Sequence, residues 1–149
     1  MAFNKEQFRE LIEDVLREAD LYSPSAVELL MLTCAVESNF GTYIKQIKGP
    51  ALGVFQMEPA THDDIWDNYI RYHSIGEFFP YKYSKAELLR YDLRYAIIMS
   101  RIYYLRYKYP LPAADDVEGL AEYWKRLYNT RFGKGTVKKA IEKYKEYCI

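Results

Sequence analysis

Cysteine and histidine are scarce in this chain of 149 residues, which holds two of each. Cys34 and Cys148 lie far apart, without the paired spacing of a zinc site or the density of a disulfide scaffold, and are read as free thiols. An excess of one charge is missing too: 21 lysines and arginines face 21 aspartates and glutamates, so the formal net charge is zero. A balance of that kind leaves no electrostatic footprint for nucleic acid, and no nucleic-acid partner is expected. No apolar run reaches the roughly eighteen residues that a membrane-spanning helix needs. The N-terminal MAFNKEQF mixes charged and apolar residues from its start, with no basic region leading into an apolar one, so no secretory signal is expected. No repeat, low-complexity tract or linker interrupts the sequence, and a single domain over residues 1–149 is expected.

Apolar and aromatic side chains are plentiful. Half of the residues are hydrophobic, enough to bury a core, and 16 Tyr, 7 Phe and 2 Trp make the chain rich in rings. Tyrosine joins a flat apolar body to a polar tip, which suits half-wet surfaces and sugar-lined grooves as well as helical cores.

The hydrophobic spacing predicts helices. Phe8, Leu11, Ile12, Val15, Leu16 and Ala19 form one stripe, with Asn4 and Gln7 as a capping pair inside a Phe3/Phe8 staple, so the first helix runs over about residues 5–20. Ser23 caps a second helix and Pro24 opens it. From Ala26 to Val36 that helix has almost no polar face, which predicts burial on all sides, and it ends at Glu37-Ser38-Asn39. Gly41, Gly49, Pro50 and Gly53 then predict an irregular lobe or short strands. Pro59 or Thr61 starts a third helix toward Tyr72. Residues 73–83 read as a loop, and Ser84 with Glu87 as a capping box for a long helix to about Tyr107, with Arg90, Asp92 and Arg94 among its solvating residues. Asp115 or Asp116 caps a fifth helix through about Tyr128, and Gly133-Lys134-Gly135 separates it from a sixth ending near Tyr147. The expected fold is mainly α: about six helices around one core, with a small irregular or β-containing lobe.

Glu37 is the most informative residue. A carboxylate at the end of an apolar helix is costly to ionise and lies at the negative end of the helix dipole, and both effects raise its pKa. A carboxyl that keeps its proton near neutral pH can protonate a glycosidic oxygen. The competing reading is a helix-end glutamate turned to solvent. Glu37-Ser38-Asn39-Phe40, followed by Gly53-Val54-Phe55-Gln56-Met57-Glu58-Pro59-Ala60-Thr61 with Gln56 nineteen positions after Glu37, resembles the signature of lytic transglycosylases and goose-type lysozymes. Tyr128-Asn129 with Gly133 and Gly135 is similar to that superfamily's Tyr-Asn segment and its glycine-bearing turn, and Asp92 is similar, less specifically, to a recurrent position.

The resemblance implies a lysozyme-like fold and cleavage of the β-1,4 bond between N-acetylmuramic acid and N-acetylglucosamine in peptidoglycan. It makes Glu37 the general acid and places Ser38 and Tyr128 as hydrogen-bonding partners near it. Gly53 is expected to let backbone approach a sugar closely, and Gln56 to orient the sugar or brace the loop. Asn129 is expected to cap or brace its turn. Glu58 departs from the commoner transglycosylase pattern, which has an apolar residue there, and is similar to the second carboxylate of goose-type lysozymes, which helps a water attack the sugar. A solvated glutamate at the start of the third helix is the plainer reading of Glu58. Lytic transglycosylase stands ahead of lysozyme, and a catalytically silent lysozyme-like virion or glycan-binding subunit remains the alternative of another class.

His62, Asp63, Asp64 and Asp67 form a second polar cluster. Asp63 and Asp64 suit a first helical turn and His62 a surface position, so no metal and no cofactor is expected. Arg131, Lys134, Lys138, Lys139, Lys143 and Lys145 read as the solvated face of the last helix. The compact chain without a signal is expected to be a bacteriophage lysis enzyme or virion-associated wall hydrolase, made in the host cytoplasm and delivered to the wall. Its expected partners are glycan strands and other phage lysis or virion proteins.

Overall fold

A computed structural model gives the fold, described here for residues 1–73, 85–129 and 133–149. The chain is mainly helical. Helix α1 spans Lys5–Glu18, its first turn closed by the Asn4 carboxamide oxygen, which accepts from the Gln7 amide at 3.0 Å. Phe3 stacks on Phe8 with ring centroids 4.4 Å apart, so the entry is stapled as the sequence predicts. Helix α2, Pro24–Ser38, starts at the Ser23 hydroxyl cap and is the hub of the molecule. Ten of its residues are buried, which follows from its nearly all-apolar sequence. Each large side chain buried there contributes about 1.5–3 kcal/mol.

Helix α3 spans Pro59–Asn68, followed by a tight helical turn at Ile70–Tyr72. A one-turn helix α4, Leu88–Tyr91, leads into α5, Leu93–Leu105. Helix α6 covers Val117–Trp124 from its Asp116 cap and continues into a wide π-type turn, Lys125–Asn129. Helix α7, Val137–Cys148, closes the fold. Helices α1, α5, α6 and α7 all pack on α2. A polar clasp adds to the apolar packing where α1, α2 and α7 meet. The Arg9 guanidinium donates to both carboxylate oxygens of Glu28, at 2.9 and 3.0 Å, and to the Cys148 carbonyl at 2.8 Å, while the Tyr144 hydroxyl donates to Glu28 at 2.6 Å.

One predicted helix divides in two. Asp92 has extended backbone, φ −130° and ψ 106°, and its carboxylate accepts from the Tyr95 amide at 3.0 Å, capping α5. Aspartate reaches a backbone N–H three residues ahead more readily from outside a helix than within one, so the long helix breaks at Asp92 although the apolar spacing runs across it. Apart from His73, the loop expected over 73–83 lies outside the described residues, as do the Ser84 cap and Arg131.

The lobe between α2 and α3 is held by a few backbone pairings. Leu52 bridges Lys45 on one side and Met57 on the other, with Leu52 N to Met57 O at 2.9 Å and Met57 N to Leu52 O at 3.1 Å. Gly53 fixes the lobe against the helices. Its φ is +80°, and a Cβ built there would lie 2.1 Å from the Leu89 carbonyl oxygen on α4. Gly53 was expected to admit a sugar; instead its missing side chain admits the α4 backbone.

Both cysteines are buried free thiols, as expected, and burial raises the pKa of each. His62 is fully buried rather than on the surface. Its Nε2 lies 2.6 Å from the Tyr95 hydroxyl and its Nδ1 2.9 Å from Asp63, while the Trp66 indole donates to the same tyrosine oxygen at 2.8 Å. The ring is thus bonded at both nitrogens between α3 and α5, which is why an apolar position tolerates it. Asp64 pairs with Arg106 and Asn68. Among the described residues no group of three or more metal-ligating side chains converges, and no helix is long and apolar enough to cross a membrane. Lys134, Lys138, Lys139 and Lys145 are exposed, and Lys143 lies over the Tyr147 ring.

Gly53→Ala tests the lobe's attachment. The left-handed backbone alone costs a non-glycine residue about 1–2 kcal/mol, and displacement of Leu89 adds to it, so a loss of about 2 kcal/mol or more is expected in urea denaturation. A loss within experimental error would mean that Gly53 does not pin the lobe to α4.

Candidate active site

An open cleft of about 630 Å³ lies between the lobe and the helices, within the size range of small-molecule sites, about 300–1,000 Å³. Glu37, Gln56, Glu58, Tyr103, Tyr128 and Asn129 line it. Five residues named from the sequence, Glu37, Gln56, Glu58, Tyr128 and Asn129, therefore meet in one place. Ser38 and Gly53 do not.

Glu37 occupies the last turn of α2, where the helix turns out of the core. Asn39 and Phe40 end α2 with left-handed backbone, φ 49° and 57°. The side chain is partly buried and reaches the cleft. Its Oε2 accepts from the Trp124 indole N–H at 2.9 Å and no other hydrogen bond reaches the carboxyl from the described residues. Burial raises the Glu37 pKa from 4.5 to about 7, an effect the Trp124 bond opposes because it favours the anion. Near neutrality the carboxyl thus keeps a proton, and since Oε2 receives a hydrogen, that proton belongs on Oε1. Tyr103, Tyr104 and Tyr128 surround the group, and a charge on Glu37 raises the pKa of all three, after their own burial.

Trp124 was not singled out in the sequence. It is core, 1% exposed, and also the donor to Glu37. The signal that bears on it is Gly135, where a Cβ would lie 2.5 Å from the Trp124 ring. Glycine there leaves room for the indole that holds the acid.

The π-type turn after Trp124 widens the helix by a residue and brings both Tyr128 and Asn129 to the cleft. The Tyr128 hydroxyl donates to the Phe55 carbonyl at 2.5 Å, tying the turn to the lobe. Asn129 braces, as expected: its Oδ1 accepts from the Lys125 ammonium at 2.7 Å, and the same ammonium donates to the Gly133 carbonyl at 3.0 Å.

Gln56 has φ 51°, left-handed backbone that costs a non-glycine residue about 1–2 kcal/mol. Two hydrogen bonds to one acceptor offset that cost: the Gln56 backbone N–H and side-chain Nε2 both donate to the Gly53 carbonyl, at 3.0 and 2.8 Å. The side chain thus braces the loop, and its Oε1, without a partner among the described residues, is the acceptor it offers the cleft. Glu58 precedes α3 as its N-cap residue and is exposed; its side chain makes no capping bond and has no hydrogen bond or ion pair among the described residues. Its carboxyl is free to serve the cleft.

The expected role of Ser38 needs correction. Its hydroxyl accepts from the Gly41 amide at 2.8 Å and donates to the Cys34 carbonyl at 3.1 Å, and the residue is fully buried. Its one donor is spent in turning the chain after α2, and full burial keeps the hydroxyl from a ligand. Gly53, pressed against Leu89, likewise contributes through the shape of the loop.

No protein-family model matches the chain, and no curated protein or solved structure is significantly similar to it.

The raised Glu37 pKa has a consequence for stability. Below pH 4.5 the group is neutral in both folded and unfolded chains. As pH rises toward 7 the unfolded chain loses its proton first, so the folded state loses stability, and above about 7 the full cost is present. The difference from 4.5 to about 7 amounts to about 3 kcal/mol at 1.36 kcal/mol per unit. Glu37→Gln keeps an acceptor for Trp124 and cannot ionise. Its stability relative to wild type is expected to rise by about 3 kcal/mol between pH 4 and pH 8 in denaturant titrations. A difference that stays constant with pH would contradict a desolvated carboxyl at this position.

Proposed function

We propose that this protein cleaves the β-1,4 glycosidic bond between N-acetylmuramic acid and N-acetylglucosamine in peptidoglycan, with Glu37 as the acid. The observation that carries the reading is a carboxyl group poised near neutrality at the wall of an open cleft, held at one oxygen by Trp124. Protonation of the glycosidic oxygen by Oε1–H lets the sugar leave as an alcohol while positive charge develops at the anomeric carbon. The resulting carboxylate, accepting from Trp124, lies where it can stabilise that charge.

Two fates then differ only in the nucleophile. In the transglycosylase route, which the motif resemblance favours, the Glu37 carboxylate takes the proton from the C6 hydroxyl of the muramoyl residue. That oxygen closes onto the anomeric carbon as a 1,6-anhydro ring. In the hydrolytic route a water attacks, and the unpartnered Glu58 carboxyl in the same cleft receives its proton. Expression by a bacteriophage, as a lysis or virion-borne enzyme acting on glycan strands, belongs to the same proposal. It rests on the sequence resemblance.

Turbidity of purified cell walls tests the activity. Wild type is expected to clear them and Glu37→Gln to lose at least about 100-fold, the lower range for a general acid. Clearing that survives the substitution would remove Glu37 from this role, and failure of wild type to clear any wall would favour a silent glycan-binding subunit. Mass spectrometry of the released fragments assigns the route. Fragments lighter by one water mark the anhydro product and an activity that tolerates Glu58→Gln, whereas reducing ends lost in Glu58→Gln mark hydrolysis.

A further inference from the structure

Among the described residues that line the cleft, Lys45 is the cation, and the other two charged ones are the carboxyls Glu37 and Glu58. No carboxylate pairs with it among the described residues. Its backbone is fixed, since Lys45 bridges Leu52, Leu52 bridges Met57, and the Gln46 amide donates to the Ala51 carbonyl at 2.9 Å. Those two crossings set the Lys45 backbone about 10 Å from that of Met57, at the usual strand spacing of about 4.8 Å. Lys45 thus stands well to one side of Glu58. Burial, opposed by the Trp124 bond, is what raises the Glu37 pKa.

Its neighbours are unusual for an exposed loop. Tyr43 and Ile47, two residues away on either side, line the same cleft and are 41% and 69% exposed; of the residues between, Ile44 does not line it, and Gln46 does while its Oε1 accepts from the Ala51 amide at 3.1 Å. The loop thus presents to the cleft an ammonium flanked by two exposed apolar side chains. A bare glycan offers hydroxyls and amides, with the lactyl group of each muramoyl residue as its one carboxylate. Its peptide branch, attached to the muramoyl sugar, carries free carboxylates next to small alkyl side chains, which match the row in both charge and polarity.

We propose that Lys45 is a specificity-determining residue that holds a carboxylate of the peptide branch, with Tyr43 and Ile47 covering its alkyl groups. The inference rests on the peptidoglycan reading. It selects strands that bear peptides over bare ones.

Binding, which needs no turnover, tests this apart from catalysis. Soluble peptidoglycan fragments with intact peptide stems are titrated calorimetrically into Glu37→Gln protein. The same fragments are then used after their carboxylates have been converted to amides. A third set has the stems removed by an amidase, which leaves a free lactyl carboxylate on the sugar. Intact stems are expected to bind about fivefold tighter than amidated ones, the upper range for an exposed ion pair. That preference disappears in Lys45→Met on the same background and persists in Lys45→Arg. Equal binding of intact and amidated stems, or a preference that survives Lys45→Met, overturns the inference. So do stripped strands that bind as tightly as intact ones, since they would move the contact to the lactyl group. Failure of wild type to clear walls while the Lys45-dependent preference persists would sink the enzyme reading and leave this one standing.

Discussion

The desolvation of one carboxyl organises this structure. Helix α2 packs against four other helices and is apolar over most of its length, and Glu37 is the next acidic side chain after Glu28, which Arg9 and Tyr144 clasp. Its position at the helix end allows it to reach the cleft while most of its surroundings remain protein. Removal of water from a carboxylate is expensive, and the group responds by keeping its proton. A full burial would deny a ligand access to that proton, and full exposure would lose it to solvent. The turn at Asn39 and Phe40 and the indole of Trp124 hold the side chain between those limits.

The other elements serve that placement. Ser38 saturates its hydroxyl with Gly41 and Cys34, which directs the chain away from α2 and into the lobe. Gly53 and Gln56 shape the facing loop through one shared carbonyl, and Tyr128 ties that loop to the π-type turn. Lys125 fixes the far side of that turn through Asn129 and Gly133. Among the described residues, the cleft is thus bounded by segments tied to one another by hydrogen bonds.

Much of the fold was legible because local rules and burial agree there. Asn4, Ser23 and Asp116 cap the helices their sequence positions suggest, and the apolar run of α2 foretells its central place. Asp92 defeated the reading, since an apolar stripe that continues across a cap looks like an unbroken helix. In the site, Glu37 stands out by its place at the end of an apolar helix, whereas Gln56, Glu58, Tyr128 and Asn129 could be named only through the motif resemblance. Trp124 could not, because a buried donor has the same periodicity as any core aromatic. Ser38 and Gly53 were misassigned for a related reason: sequence shows that a hydroxyl or a bare backbone is present, but not which neighbour has already taken it. His62 erred in the opposite direction, where the Tyr95 hydroxyl and Asp63 satisfy a ring that composition alone would place in solvent.

The most direct measurement is the ionisation of Glu37 itself. Carboxyl carbon NMR of glutamate-labelled protein, with the Glu37 signal assigned by its loss in Glu37→Gln, follows that one group through a pH titration. A midpoint near 7 is expected for a carboxyl shielded by the end of α2 and bonded to Trp124. A midpoint at the ordinary value near 4.5 would show a solvated, ionised glutamate and contradict its assignment as the acid.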